Sequence, residues 1–114
     1  MIARQNRFHG LGSLRPVYQR GVSVRSQFIV IKFMPNSKRT TYRCAVVVSK
    51  KVHKSAVVRN RIRRRIYECI RLHDELTKKP YDIVISVFDE RVATMEHQEL
   101  AATLSKLLSQ AKLL

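Results

Sequence analysis

The sequence predicts a single α+β domain in which a mixed or antiparallel sheet of three to four strands packs against helices. Its 114 residues fit one domain of common size, and an apolar fraction of 45% can form a core. Short β-branched runs alternate with segments of helical periodicity, in the order α-β-β-α-β-α. No repeat or linker divides the chain, so residues 1–114 form one unit, with 1–12 as an extended or loosely ordered arm. A split of the first strand region would add a fourth strand.

The first half of the chain carries one short helix and two strands. Apolar residues recur at i, i+3 and i+4 over residues 14–20, which predicts a helix that Ser13 is placed to cap. Residues 24–34 and 41–49 are rich in β-branched and aromatic side chains and therefore predict strands. A turn signal at 35–38 separates them, so we expect the two strands to pair antiparallel.

The second half predicts a long helix, a strand and a final helix. Residues 56–77 have helical periodicity, and residues 81–88 alternate as a strand. A leucine-rich stripe over residues 95–112 predicts the last helix, with Thr94 as its cap. The apolar stripe of the long helix consists of Val58, Ile62, Ile66, Cys69, Ile70 and Leu72.

The charge of the chain is concentrated in its first half. Residues 1–67 contain 17 Lys or Arg and no acidic residue, whereas residues 68–114 contain 6 basic and 8 acidic residues, so the formal net charge is +15. Such a basic half repels itself, and a polyanion relieves that repulsion. Nucleic acid is the default partner. A membrane surface is the competitor, but a membrane-binding helix needs bulky aromatics on its apolar side, and residues 56–77 carry β-branched residues and a cysteine there.

A dense arginine run carries the strongest functional signal. Five arginines occupy the seven positions 59–65, after a lysine pair that follows the second strand. Arginine binds phosphate with a rigid fork of donors, and an asparagine can read a base edge or a 2′-hydroxyl. A charge run is often only a solvated helix face, but here no acid is interleaved before Glu68. The predicted RNA-binding residues are Lys50, Lys51, Arg59, Asn60, Arg61, Arg63 and Arg64.

The remaining reactive side chains predict neither a catalytic residue nor a metal site in the protein. The histidines are scattered without ligand spacing, and Cys44 and Cys69 are expected to be small core residues in a reduced compartment. No apolar run approaches the ~18 residues of a membrane span, and the N-terminus lacks the apolar region of a secretory signal. We therefore expect a cytoplasmic protein. The histidines are His9, His53, His73 and His97.

The arginine run and the strand before it resemble the bacterial ribonuclease P protein subunit. That family carries an Arg-Asn-Arg motif on a helix, preceded by a strand that ends in Ser-Lys-Lys. The resemblance extends over nearly the whole chain, including Asn6-Arg7, residues 14–21, Gln27-Phe28 and residues 81–85. The matching residues around the motif are Ser49, Lys50, Lys51, Ala56, Val57, Arg59, Asn60, Arg61, Ile62, Arg63 and Arg64.

The resemblance implies a fold, two RNA partners and a cleft. It implies an unusual left-handed β-α-β crossover around the arginine-rich helix. It also implies that the protein binds a catalytic RNA, which removes the 5′ leader from precursor tRNA with bound Mg²⁺ and needs no organic cofactor. The leader is expected in a cleft between the first helix and the sheet, at Leu14, Tyr18, Phe28 and Ile31. Because the family often has aromatics where Leu14 and Ile31 lie, this cleft is expected to depend more on shape and charge.

Two other functions are compatible with the basic composition. A ribosomal or RNA-chaperone protein would bind RNA without promoting leader removal. A self-sufficient nuclease would use histidines and carboxylates, and the scattered histidines argue against it.

Overall fold

A four-stranded mixed sheet with helices on both faces forms the protein. The computed structural model describes residues 3–8 and 14–114. Single 3₁₀ turns lie at Arg4–Asn6, Asp74–Lys78 and Glu90–Ala93. The helices and strands in chain order are α1 (Arg15–Arg20), β1 (Val22–Arg25), β2 (Ile29–Pro35), β3 (Arg43–Val48), α2 (Ala56–Arg71), β4 (Tyr81–Val87) and α3 (His97–Gln110).

The strands lie in the order β1-β2-β4-β3. β2 pairs antiparallel with both β1 and β4, whereas β3 pairs parallel with β4 and reaches it through α2. The predicted strand 24–34 splits after Arg25, where Ser26 donates its N–H to the carbonyl of Ile29 at 2.8 Å. The α+β class, the mixed sheet and the possible fourth strand are therefore confirmed. The left hand of the crossover stays a prediction.

The expected antiparallel pairing of residues 24–34 with 41–49 is wrong, because β4 lies between β2 and β3. Ile83, Val84 and Ile85 of β4 are all fully buried, so this strand is covered on both faces and suits a central position. A parallel neighbour requires a crossover of a dozen or more residues, and α2 supplies one. The turn signal at 35–38 marks a break between strands but does not determine which strands pair.

The two faces of the sheet have separate apolar clusters. The larger cluster joins α2 and α3 to the sheet through fully buried residues such as Ile62, Ile66 and Leu104. The smaller cluster joins α1 to the other face through Leu14, Val17 and Val84. Among the described residues, α1 and Phe8 therefore cover only part of that face.

The predicted end of α2 and the predicted start of α3 differ from the structure. α2 ends at Arg71 rather than at residue 77, and Leu72 is 64% exposed, so it does not belong to the apolar stripe. The chain turns there, and Leu76 of the next 3₁₀ turn is buried in its place. α3 begins at His97 after Glu96, and Thr94 instead ends a 3₁₀ turn. The predicted cap Ser13 lies outside the described residues.

The described N-terminal segment, residues 3–8, packs along the free edge of β3. The side chain of Asn6 is buried and donates from Nδ2 to the carbonyl of Tyr42 at 2.8 Å. Arg7 forms an isolated parallel bridge with Cys44, and Arg39 donates to the carbonyl of Gln5 at 2.6 Å. This part of the predicted arm therefore covers an edge that would otherwise present unpaired backbone groups.

An ion pair joins the parallel strands β3 and β4 through two residues that lie opposite each other in the sheet. Arg43 and Asp82 are Cα partners across β3 and β4, and Arg43 donates from Nε and Nη2 to the two carboxylate oxygens at 2.9 and 2.8 Å. Asn36 donates to the same carboxylate at 3.1 Å. The Arg43 guanidinium also lies 4.4 Å from the ring centroid of Phe8. The pair thus ties β3, β4 and the N-terminal segment together.

We expect Asp82→Asn to lower the free energy of unfolding by about 3 kcal/mol, because it leaves the largely buried Arg43 charge without its partner. Urea denaturation measures the change. Asp74→Asn is the matched control, since Asp74 is exposed, and it should change stability by less than about 0.5 kcal/mol. Equal effects of the two variants would contradict the assigned role of the ion pair.

Candidate nucleic-acid interface

The start of α2 is held in place by its own first arginine. Ser55 occupies the N-cap position and donates its N–H to Nδ1 of His53 at 3.0 Å. Arg59 donates from Nη1 to the carbonyls of His53 and Lys54, both at 2.9 Å. The half-buried guanidinium of Arg59 therefore closes the loop before the helix and orients the residues that follow it.

Arg63 connects α2 to the end of β3. Its Nη1 donates to Oδ1 of Asn60 at 2.7 Å, and its Nη2 donates to the carbonyl of Val48 at 3.3 Å. Because Val48 lies only two residues before Lys50, this contact brings Lys50 and Lys51 beside the arginine-rich helix. It also fixes the orientation of the Asn60 amide.

Arg65 is directed to the opposite side of α2. It donates to the carbonyl of Val92 at 2.6 Å and to the carbonyl of Met95. Of the five arginines in the run, three thus have guanidinium groups that bind backbone carbonyls, whereas Arg61 and Arg64 are exposed to solvent. The sequence reasoning missed this division, because charge alone does not show which arginine reaches a carbonyl.

Four exposed cations and the exposed Asn60 form a candidate interface, which we name the basic surface. Its members share solvent exposure and a place on the first half of α2 or on the loop beside it. Arginine and lysine side chains in this arrangement suit the phosphates of RNA, and the amide of Asn60 can reach a base or a 2′-hydroxyl. The basic surface consists of Lys50, Lys51, Asn60, Arg61 and Arg64.

An open pocket of about 410 Å³ indents the basic surface on the side that faces β3. Asn60, Arg63 and Arg64 line it together with Val57 and Tyr67. The Tyr67 hydroxyl accepts the N–H of Val46 at 3.1 Å, which fixes the ring. Burial raises the pKa of Tyr67, so its hydroxyl stays neutral. The mixed lining can accommodate an unpaired base next to a phosphate contact.

A groove of about 330 Å³ lies between the start of α1 and β3, on the side of the sheet where the cleft was predicted. Phe8, Leu14, Val47 and Arg63 are among the residues that line it. Tyr18 is exposed farther along α1, and Nζ of Lys32 lies 5.8 Å from the centroid of the tyrosine ring. Leu14 and Tyr18 therefore lie on the α1 side of the sheet, where the cleft was predicted.

Two of the predicted cleft residues lie elsewhere. Ile31 is fully buried in the cluster beneath α2 and α3, on the other face of the sheet. Phe28 packs against that same cluster, and the Arg91 guanidinium covers its ring at 4.5 Å. Alternation along β2 instead turns Val30 and Lys32 toward α1. The sequence could have shown this orientation through Lys32, because a charged residue between two apolar strand residues indicates the less buried face.

Comparison with known proteins identifies the family. A family model described as Ribonuclease P matches residues 2–112. This chain belongs to the ribonuclease P family. It is 37% identical over 97 residues to the ribonuclease P protein component of Caldanaerobacter subterraneus subsp. tengcongensis, which covers 85% of this chain and 81% of the relative. The corresponding component of a Pseudanabaena species is 35% identical over 115 residues, with 100% and 97% covered.

A solved ribonuclease P protein shares the fold. The Staphylococcus aureus RNase P protein superimposes with a TM-score of 0.83 at 26% identity, over 95% of this chain and 96% of that one. The helices and the mixed four-stranded sheet of the present ribonuclease P family member are therefore those of an RNase P protein. The recognition of the family from the Ser-Lys-Lys and Arg-Asn-Arg residues is confirmed.

Two histidines of this family member have side-chain partners, and both cysteines are buried. His53 Nε2 lies 3.7 Å from Glu90 Oε2, and His73 Nε2 lies 3.4 Å from Ser105 Oγ. Burial raises the pKa of Cys44 to about 12 and also raises the pKa of Cys69, so both stay as thiols. Within residues 3–8 and 14–114, no three His, Cys, Asp or Glu side chains are placed to hold a metal ion. His9 is outside this range.

No helix in the described part of the chain is both long enough and apolar enough to span a membrane.

We expect RNA affinity to fall steeply with salt. Each phosphate contact on single-stranded RNA contributes about −0.7 to the slope of log affinity against log salt concentration. The four exposed cations of the basic surface alone give about −3, and all six predicted cations give about −4. Fluorescence anisotropy of a labelled RNA over a salt series measures this slope. A slope near zero would refute the electrostatic interface.

We expect Arg61→Ala to reduce the slope by about 0.7 without loss of stability, because Arg61 is exposed. Arg71→Ala is the matched control on the same helix, since Arg71 is exposed but paired with Glu68 at 2.8 Å. Arg59→Ala should instead lower the melting temperature, because it frees two carbonyls at the start of α2. The same slope for Arg61→Ala and the wild type would remove Arg61 from the interface.

Proposed function

We propose that this chain is the RNA-binding protein subunit of ribonuclease P and that it assists a catalytic RNA in the endonucleolytic removal of the 5′ leader from precursor tRNA. The observation that carries this proposal is the position of Arg63, which lines both the pocket on the basic surface and the groove beside α1. The two candidate surfaces for RNA therefore share one side chain. Membership of the ribonuclease P family supports the proposal.

The two surfaces suit two different RNA partners. The basic surface offers cations and an amide on a rigid helix, which suits the backbone of a large folded RNA. The groove offers Phe8 and Leu14 against β3, and Tyr18 and Lys32 lie on the same side of the sheet, which suits an unpaired strand whose bases stack on aromatic rings. We assign the catalytic RNA to the basic surface and the precursor leader to the groove.

In this proposal the chemical step belongs to the RNA. Mg²⁺ bound with the catalytic RNA supplies the metal chemistry, and no organic cofactor takes part. The protein contributes binding and orientation: it holds the leader beside the RNA and offsets phosphate repulsion between the two strands. We place this activity in the bacterial cytoplasm. The internal hydrogen bonds of His53 and His73 fit a protein whose histidines serve its structure.

Cleavage of a precursor tRNA at low magnesium tests the proposal. Reactions contain a bacterial catalytic RNA with the protein, the RNA alone, or the protein alone. We expect leader removal to require the RNA and to be strongly raised by the protein, because the protein's cations replace counter-ions that Mg²⁺ would otherwise supply.

Variants and alternative outcomes make the test specific. The double variant Arg61→Ala/Arg64→Ala should lose most of the stimulation, and Arg71→Ala should keep it. RNA binding without any effect on cleavage would replace the proposal with a ribosomal or RNA-chaperone function. Cleavage by the protein alone would indicate a self-sufficient nuclease.

A further inference from the structure

Two aromatic rings remain exposed in the described part of the chain. They are Tyr18, at 42% exposure, and Phe88, at 63%. A single exposed apolar residue is normal in a soluble protein and needs no function. The placement of Phe88 relative to the groove is what distinguishes it from the other exposed apolar residues.

Phe88 continues the central strand on the open face of the sheet. The preceding residue, Val87, is buried in the cluster beneath α2 and α3, so strand alternation turns Phe88 to the face that carries α1. The Phe88 N–H donates to the carbonyl of Phe28 at 2.9 Å, which extends the β2–β4 ladder beyond its last register pair. The backbone at Phe88 is therefore held as it is in the strand.

Two nearby residues, Phe28 and Arg91, contact each other on the side of the sheet that carries α2 and α3. Asp89 accepts the backbone N–H of Arg91 at 2.8 Å and pairs with its guanidinium at 2.8 Å. That guanidinium lies over the Phe28 ring at 4.5 Å. Phe28 and Arg91 thus cover each other, whereas the ring of Phe88 is left facing solvent.

The sheet face between the two exposed rings suits an extended strand of RNA. Val30 and Ser86 are register partners on this face and are half-buried, so they form a floor without bulky side chains. Lys32 lies beside Tyr18, and the exposed Arg25 is the register partner of Val30 on β1. Phe88 lies four residues beyond Val84, which packs against α1, so the open floor extends about 13 Å.

We propose that Phe88 is a stacking platform for a base of single-stranded RNA, on the α1 side of the sheet and at the end of β4 away from α1. The proposal rests on the proposed function, which makes the occupant the 5′ leader. Lys32 and Arg25 contact the phosphates, and Tyr18 and Phe88 stack with bases at the two ends of the floor. Because every base has an aromatic face, the platform accepts any leader sequence.

Binding of two short single-stranded RNAs tests this role. One has ordinary bases, and the other has the same backbone with abasic sites; fluorescence anisotropy measures the affinity of the full chain for each. Phe88→Ala should weaken binding of the base-bearing strand about fivefold or more and leave binding of the abasic strand within about twofold. Phe88→Trp should restore the affinity, because it restores an aromatic face.

Two control variants separate stacking from charge and from general apolar exposure. Leu72→Ala removes an apolar side chain of matching exposure at the end of α2 and should leave both affinities unchanged. Lys32→Ala removes a cation that contacts the phosphates of the strand and should weaken binding of both strands alike. Thermal unfolding of Phe88→Ala should match the wild type, since the ring is largely outside the core.

Three results would overturn the assignment. Equal weakening of both strands by Phe88→Ala would exclude base stacking. Unchanged affinity for both strands would exclude a contact with RNA at Phe88. A change in sedimentation of the protein with no change in RNA affinity would make Phe88 a self-association contact. In each case the proposed function still stands if the wild-type protein raises cleavage of precursor tRNA by the catalytic RNA, so the two failures are distinguishable.

Discussion

The hydrogen-bonded ion pair between Arg43 and Asp82 is the interaction on which the arrangement of the sheet depends. The two residues are register partners, so their side chains align β3 and β4 in parallel at the point where the strands begin. Parallel alignment requires a long crossover, which is α2, and the crossover carries the arginine run to the edge of β3. The pair also joins the acid-free first half of the chain to the half that holds all its acids.

The arginines of α2 have two physical roles that composition does not distinguish. Arg59, Arg63 and Arg65 donate to backbone carbonyls and so attach the helix to its preceding loop, to β3 and to the segment at Val92. Arg61 and Arg64 stay in solvent, where a phosphate can replace water. We therefore expect substitution of the first group to change stability, whereas substitution of the second group should change RNA affinity alone.

The short length of α1 creates the groove. Six helical residues extend about 9 Å, whereas the seven-residue strands β2 and β4 extend about 23 Å. The helix covers Val84 and leaves the sheet face open toward Phe88. On the other face, α2 and α3 together complete a closed apolar core. One face of the sheet is thus closed by the main core, whereas the described residues cover the other face only in part.

The sequence by itself determined the element types, the charge division, the Arg-Asn-Arg motif and, through its resemblance, the family. These features depend on local periodicity and on residue identity, which the chain carries without folding. The tertiary structure alone decided which strands are neighbours, because strand pairing joins residues distant in sequence. It also decided which side chains face the groove. β2 begins at Ile29, and alternate residues of a strand face opposite sides of the sheet. The register of β2 therefore buries Ile31 and turns Val30 and Lys32 toward α1.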